Sequence, residues 1–164
     1  MSDRICHQIS ALHFFSKKLI IETDFLAEVK TYMKSTVLCY NLKGTKKGKQ
    51  IAMIFGFLGY KIRHVEKEEY EVPIGVLAGA SSQDQEAAQY EGEGFPEEML
   101  VMHAATEDML DKALFLMKKE KVQVGLKAMV TETNQEWTSL ALHDEIQKEH
   151  EYMKQRKEER KQED

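Results

Sequence analysis

Two short apolar runs limit what this chain can fold into. Thr36–Leu42 (TVLCYNL) and Met99–Ala104 (MLVMHA) carry almost no polar residue and show no polar/apolar alternation. Runs of this length and kind are expected to be strands covered by protein on both faces. Each is followed by a break and an amphipathic helical pattern. After the first, Gly44-Thr-Lys-Lys-Gly48-Lys49 leads into Ile51, Ile54, Phe55 and Leu58, with Gly59 as a stop. After the second, Thr106 is a good N-cap, and Glu107 and Asp108 suit the positive end of the helix dipole. Leu110, Ala113, Leu114 and Met117 form the apolar stripe, and Lys118 and Lys119 suit the negative end.

Both halves then repeat the same plan. Ile62–Val65 and Val122–Val130 alternate apolar with polar residues, as half-buried strands do. A helical segment closes each half. In Tyr70–Gly79, Pro73 marks a first turn and Gly79 an end; later, Thr133 and Glu136 fit a capping box before Trp137, Leu140, Ala141 and Ile146. Tyr70 and Trp137 occupy similar places in the two halves. The pattern predicts an α+β fold of two βαβ(α) halves. They form a four-stranded, ferredoxin-like antiparallel sheet with helices on one face and a C-terminal helix. The two apolar runs are expected at its centre and the alternating segments at its edges.

The chain has 164 residues, which fits one domain with appendages. Residues 33–153 are read as that domain, with a polar, acidic loop at 80–96 and a charged tail at 154–164. Residues 1–32 are read as an N-terminal extension with only patchy helical spacing at Ile5, Ile9, Leu12, Leu19 and Ile20. Ala27-Glu28-Val29 can be encoded by a purine-rich ribosome-binding sequence a short way upstream of Met33, so a mis-assigned start stands beside a real N-terminal helix.

Net charge is −5, which argues against a general polyanion binder, and no nucleic-acid partner is expected. The distribution is blocky. Met33–Val65 holds seven basic residues and no acidic one, whereas Ala80–Leu100 holds six acidic residues and no basic one. No apolar run is long enough to span a bilayer, so no membrane partner is expected. Cys6 and Cys39 lie far apart, without CxxC spacing, and are read as reduced thiols of a cytoplasmic protein. His143 and His150 share a helix face two turns apart, with Gln147 between them and no HExxH pattern; no metal and no cofactor are expected.

Few residues suggest chemistry. Gly44, Lys46, Lys47, Gly48 and Lys49 join a strand to a helix start, where backbone N–H groups and lysines suit an anion. The spacing departs from a Walker A loop, and Gln50 replaces its hydroxyl residue. His103, at the end of a central strand, is the pocket candidate. Cys39 in a buried strand reads as inert, Ser81 and Ser82 lack a nucleophile-elbow pattern, and Tyr40 is a lone aromatic where RNA binding by the sheet would want several. No catalytic set converges.

The stretches LKAMVTETNQEWTSLALHDEI (126–146) and KEHEYMK (148–154) contain a strand, a Thr-x-x-Asn turn, an aromatic residue and a Glu-His-x-Tyr end. Across Glu98–Met153 the chain resembles the bacterial domain of unknown function family 3783. The resemblance brings no biochemical activity and no catalytic residues. If the family motif marks a surface, the matching positions are Asn134, Trp137, Glu149 and His150.

These observations favour a small bacterial regulatory or interaction protein without catalytic activity, binding itself, a protein or an effector. The alternative is an anion- or nucleotide-effector sensor, with Lys46, Lys47 and Lys49 on the phosphates and the 80–96 loop moving. An enzyme, the third reading, needs His103 or Cys39 exposed in a pocket with a charged neighbour.

Overall fold

The computed structural model describes residues 35–81 and 89–162. The N-terminal segment 1–32, with Cys6, and part of the 80–96 loop lie outside the described residues. The two apolar runs form β1 (Thr36–Tyr40) and β3 (Met99–His103), which pair antiparallel, with Leu38 opposite Val101 at the centre of the register. All five residues of β1 are buried. The alternating segments supply the edges, β2 (Lys61–His64) and β4 (Leu126–Met129), giving the sheet order β2-β1-β3-β4.

The edge strands do not continue the antiparallel ladder. β2 runs parallel to β1, and β4 runs parallel to β3. The sheet is therefore mixed, not a ferredoxin-like antiparallel one. The reason is the connection: each half is a βαβ unit whose crossover helix returns the chain beside the strand it left, and that geometry makes neighbours parallel. The crossover helices are α1 (Lys46–Phe57) and α3 (Glu107–Lys119). Thr45 and Thr106 cap them in the same way, each side chain accepting from the N–H three residues on. Two like units joined by an antiparallel central pair are related by an approximate two-fold axis through the sheet. α1 and α3 consequently run antiparallel on one face.

A one-face arrangement of helices is also corrected. Val37, Cys39, Leu100 and Met102 face α1 and α3, in a core with Ile51, Phe55, Ala113 and Met117. Leu38, Tyr40, Met99 and Val101 face the other way, against Tyr70, Ile74, Leu77, Phe95 and Leu142. That second layer is built by α2 (Ile74–Ala78), the start of α4 (Ser139–Gln162) and the chain around Phe95. Gly79 ends α2 in the left-handed conformation, at φ 73°, a backbone state glycine adopts without a Cβ penalty.

The halves are stitched together on this second face. Pro73 and Thr138, at equivalent places, form an isolated antiparallel bridge. The Ile74 N–H donates to the Trp137 carbonyl at 2.9 Å, and the Ser139 N–H to the Tyr70 carbonyl at 3.0 Å. The final helix opens at Ser139, with the Thr138 hydroxyl accepting from the Ala141 N–H, so Thr133 and Glu136 do not form its capping box. They lie in a turn held by Asn134, whose carboxamide oxygen accepts from the Thr131 N–H at 2.8 Å and whose nitrogen donates to the Met129 carbonyl at 2.8 Å. The Asn134 N–H also donates to the Thr131 hydroxyl at 3.3 Å, and three hydrogen bonds in one short turn leave no room for a helix there.

Candidate functional site

The basic turn is engaged in building α1. Its Gly48 N–H donates to the Thr45 hydroxyl at 2.9 Å, and the Lys49 N–H to the Thr45 carbonyl at 3.1 Å. Lys47 is ion-paired with Glu98, and Lys43 just before the turn with Glu66. Lys46 and Lys49 are exposed. Gly48 has a packing reason to be glycine, since a Cβ there would stand 2.0 Å from the Leu42 carbonyl oxygen. The turn thus brings Gly44, Lys46, Lys47, Gly48 and Lys49 together, with the Lys47 ammonium and the Gly48 and Lys49 N–H groups already partnered.

The reactive-residue candidates are placed apart. Cys39 is buried in β1, and burial pushes its thiol up to about 12, far from a nucleophile's range. His103 is half-buried at the end of β3, opposite Thr36. Tyr40 lies wholly inside the second face, its hydroxyl 2.9 Å from the Ser139 Oγ. Desolvation raises its pKa well above the usual phenol range, with the Ser139 hydrogen bond opposing. Among the described residues no group of three or more His, Cys, Asp or Glu side chains is placed to hold a metal.

An aromatic and polar cluster joins the two halves. Phe95 stacks on Tyr70 at 4.8 Å and on the His143 ring at 4.0 Å. His143 is buried, and its Nε2 lies 3.0 Å from a Glu97 oxygen, while Gln147 donates to the other at 3.1 Å. Asn41 donates to the Phe95 and Glu97 carbonyls at 2.8 and 2.9 Å. The cluster clips the chain at 95–97 to α4 and to the end of β1, with the Asn41, Glu97, His143 and Gln147 side chains all turned to protein partners. His143 and His150 therefore part company: the first is packed here, the second is exposed.

Among the described residues, two open surfaces stand out. The first is the outer side of α1 and α3, where Met53, Phe57 and Phe115 are 71%, 83% and 65% exposed. A groove of about 370 Å³ between the helices is lined by Gln50, Met53, Ile54, Phe57, Leu116 and Glu120. Sequence reasoning passed over these residues because it followed the inward stripes. The available signal was the surplus: Met53, Phe57 and Phe115 are large apolar residues off the stripe of an otherwise amphipathic helix. The second is a groove of about 390 Å³ between β4 and α4 that includes Glu149 and His150. Asn134 and Trp137 are not in it: Asn134 holds the turn, and Trp137 packs half-buried on the second core.

Comparison with known proteins adds one finding. Residues 98–153 match the family described as Domain of unknown function (DUF3783). The span runs from just before β3 into α4, so it takes in the second half of the fold with its Thr131–Asn134 turn. No curated protein and no solved structure matches the chain.

Proposed function

We propose that this chain is an interaction protein without catalytic chemistry, and that it works by self-association through the α1/α3 face. The observation that carries this reading is the exposure of Met53 and Phe57 along one apolar groove, with Phe115 exposed on the neighbouring helix α3. Large apolar side chains grouped on a soluble surface mark an association site. The patch is also suited to a second copy of itself. Its residues come from two helices related by the internal two-fold, so a copy turned over onto this face brings α1 of one protomer across α3 of the other. Met53 and Phe57 then meet Phe115, twice, in an isologous contact. Methionine and phenylalanine are the side chains that such contacts favour.

The groups with chemical potential support the same conclusion. Cys39 is inert by burial, and the His143–Glu97 pair is spent on packing. An anion sensor would draw on Lys46, Lys47 and Lys49; Lys46 and Lys49 are exposed, but Lys47 is paired with Glu98 and the Gly48 N–H is used by the Thr45 cap. The described residues include no helix long and apolar enough to cross a membrane. On this reading the protein works in the cytoplasm, where its thiols stay reduced.

The test is Phe57→Glu and, separately, Phe115→Glu. Both positions are largely exposed, so each variant is expected to keep the wild-type circular dichroism and Tm while its sedimentation coefficient falls to that of a monomer. Variants that sediment like the wild type would refute association through this face.

A further inference from the structure

We infer that the groove between β4 and α4 binds an extended peptide segment carrying acidic residues. The site is separate from the α1/α3 face and does not rest on self-association. Its first support is the strand edge. β4 is the last strand of the sheet. The Val130 N–H donates to the Met102 carbonyl at 2.9 Å, so in the alternation of a strand Ala128 also faces β3, whereas Lys127 and Met129 turn their backbone groups outward. The Met129 carbonyl is taken by Asn134. The Lys127 N–H and carbonyl and the Met129 N–H thus point away from β3, and Lys127 is the β4 residue that lines the groove. An added strand satisfies such an edge.

The second support is charge. Lys127, Lys154 and Lys157 line the groove, with Glu149 as the one acidic residue among them. Lys127 already donates to the Val124 carbonyl at 2.6 Å, so Lys154 and Lys157 carry the selection for an acidic partner. The third is the apolar wall. Ile146 and Met153, seven residues apart on one face of α4, stand in the same groove. Open strand edge, apolar wall and flanking lysines together fit a β-strand that alternates apolar with acidic side chains. A lone phosphate would use the lysines but neither the wall nor the edge, and the chain's net charge of −5 opposes a nucleic acid.

The experiment titrates the full chain into a fluorescein-labelled peptide of alternating valine and glutamate and reads anisotropy. Binding is expected, weakening as salt rises. Lys154→Glu/Lys157→Glu, at exposed positions of α4, is expected to keep the fold by circular dichroism and to weaken binding about tenfold or more. In NMR spectra of the wild type, the Lys127 and Met129 amides should shift and gain exchange protection when the peptide is added. Phe57→Glu should bind as the wild type does. No binding, or equal binding by the doubly reversed variant, overturns the inference. So does displacement of the peptide by equimolar inorganic phosphate, or preferential uptake of a uridine oligonucleotide. Loss of peptide binding in a folded Phe57→Glu monomer would show that the site is not separate.

Discussion

Replacing Gly48 by alanine separates two reasons for a glycine in the basic turn. In the interior of an exposed helix the change favours the fold by about 1 kcal/mol, because alanine is the better helix former. Here the added Cβ would lie 2.0 Å from the Leu42 carbonyl oxygen and 3.0 Å from its carbon. Relief requires the first turn of α1 to retreat by about 1 Å from the end of β1, an over-packing strain of about 1–3 kcal/mol. The retreat also stretches the bonds from the Thr45 N–H (3.2 Å) and hydroxyl (2.9 Å) to that same carbonyl. Each is worth about 1 kcal/mol. Together these terms outweigh the propensity gain, and Gly48→Ala should lose about 2–4 kcal/mol, or roughly 5–12 °C in Tm for a domain of this size. Urea unfolding followed by far-ultraviolet circular dichroism measures it. A glycine kept for backbone approach to a phosphate predicts the opposite: unchanged or raised stability with loss of an anion site. A Tm equal to or above the wild type would refute the packing argument.

Other expectations follow from the same contacts. Cys39 should resist a thiol reagent at pH 8 in the folded protein and react in urea; fast labelling without denaturant would contradict its burial. Because the Cys39 thiol moves from 9.0 to about 12 and the Tyr60 phenol from 10.0 to about 12, the native state holds protons that the unfolded chain gives up. Their contribution to stability is complete below pH 9 and is lost as pH rises toward 12, the thiol alone accounting for roughly 4 kcal/mol. Stability should thus decline steadily across that window, and a flat profile would be inconsistent with both shifts. Tyr40→Phe and Ser139→Ala each leave one buried hydroxyl without its partner and should each lose about 1–3 kcal/mol. The double variant should lose less than the sum, whereas simple additivity would mean that the 2.9 Å contact carries no coupling.

The centre of the sheet was legible because β1 and β3 are apolar at nearly every position, which demands cover on both faces. The same property already implied the second layer: Leu38 and Tyr40 cannot be buried unless something lies opposite α1 and α3. A one-faced arrangement conflicts with it. Strand direction was not legible. β2 and β4 are four residues each, and their alternation records which side is buried but not which neighbour they join. The Val122–Val130 alternation was partly misleading. Val122 and Val124 belong to the α1/α3 core, whereas Leu126 belongs to the other, so the chain changes face at Gly125 and only Leu126–Met129 is strand. The Thr131–Asn134 turn competed with a capping signal at Thr133 and won through three hydrogen bonds, two donated by Asn134 and one accepted by its carboxamide oxygen. Of the candidate site residues, Glu149 and His150 do line one groove. The α1/α3 face left one trace in the sequence, the surplus of Met53, Phe57 and Phe115 off the inward stripes, while its groove is made by folding two helices side by side.

Sedimentation equilibrium of the purified full chain over a range of concentrations tests the central claim most directly. Self-association through Met53, Phe57 and Phe115 predicts a species of twice the 19.0 kDa chain mass that dissociates on dilution. A single-chain mass at every concentration up to the solubility limit would contradict it.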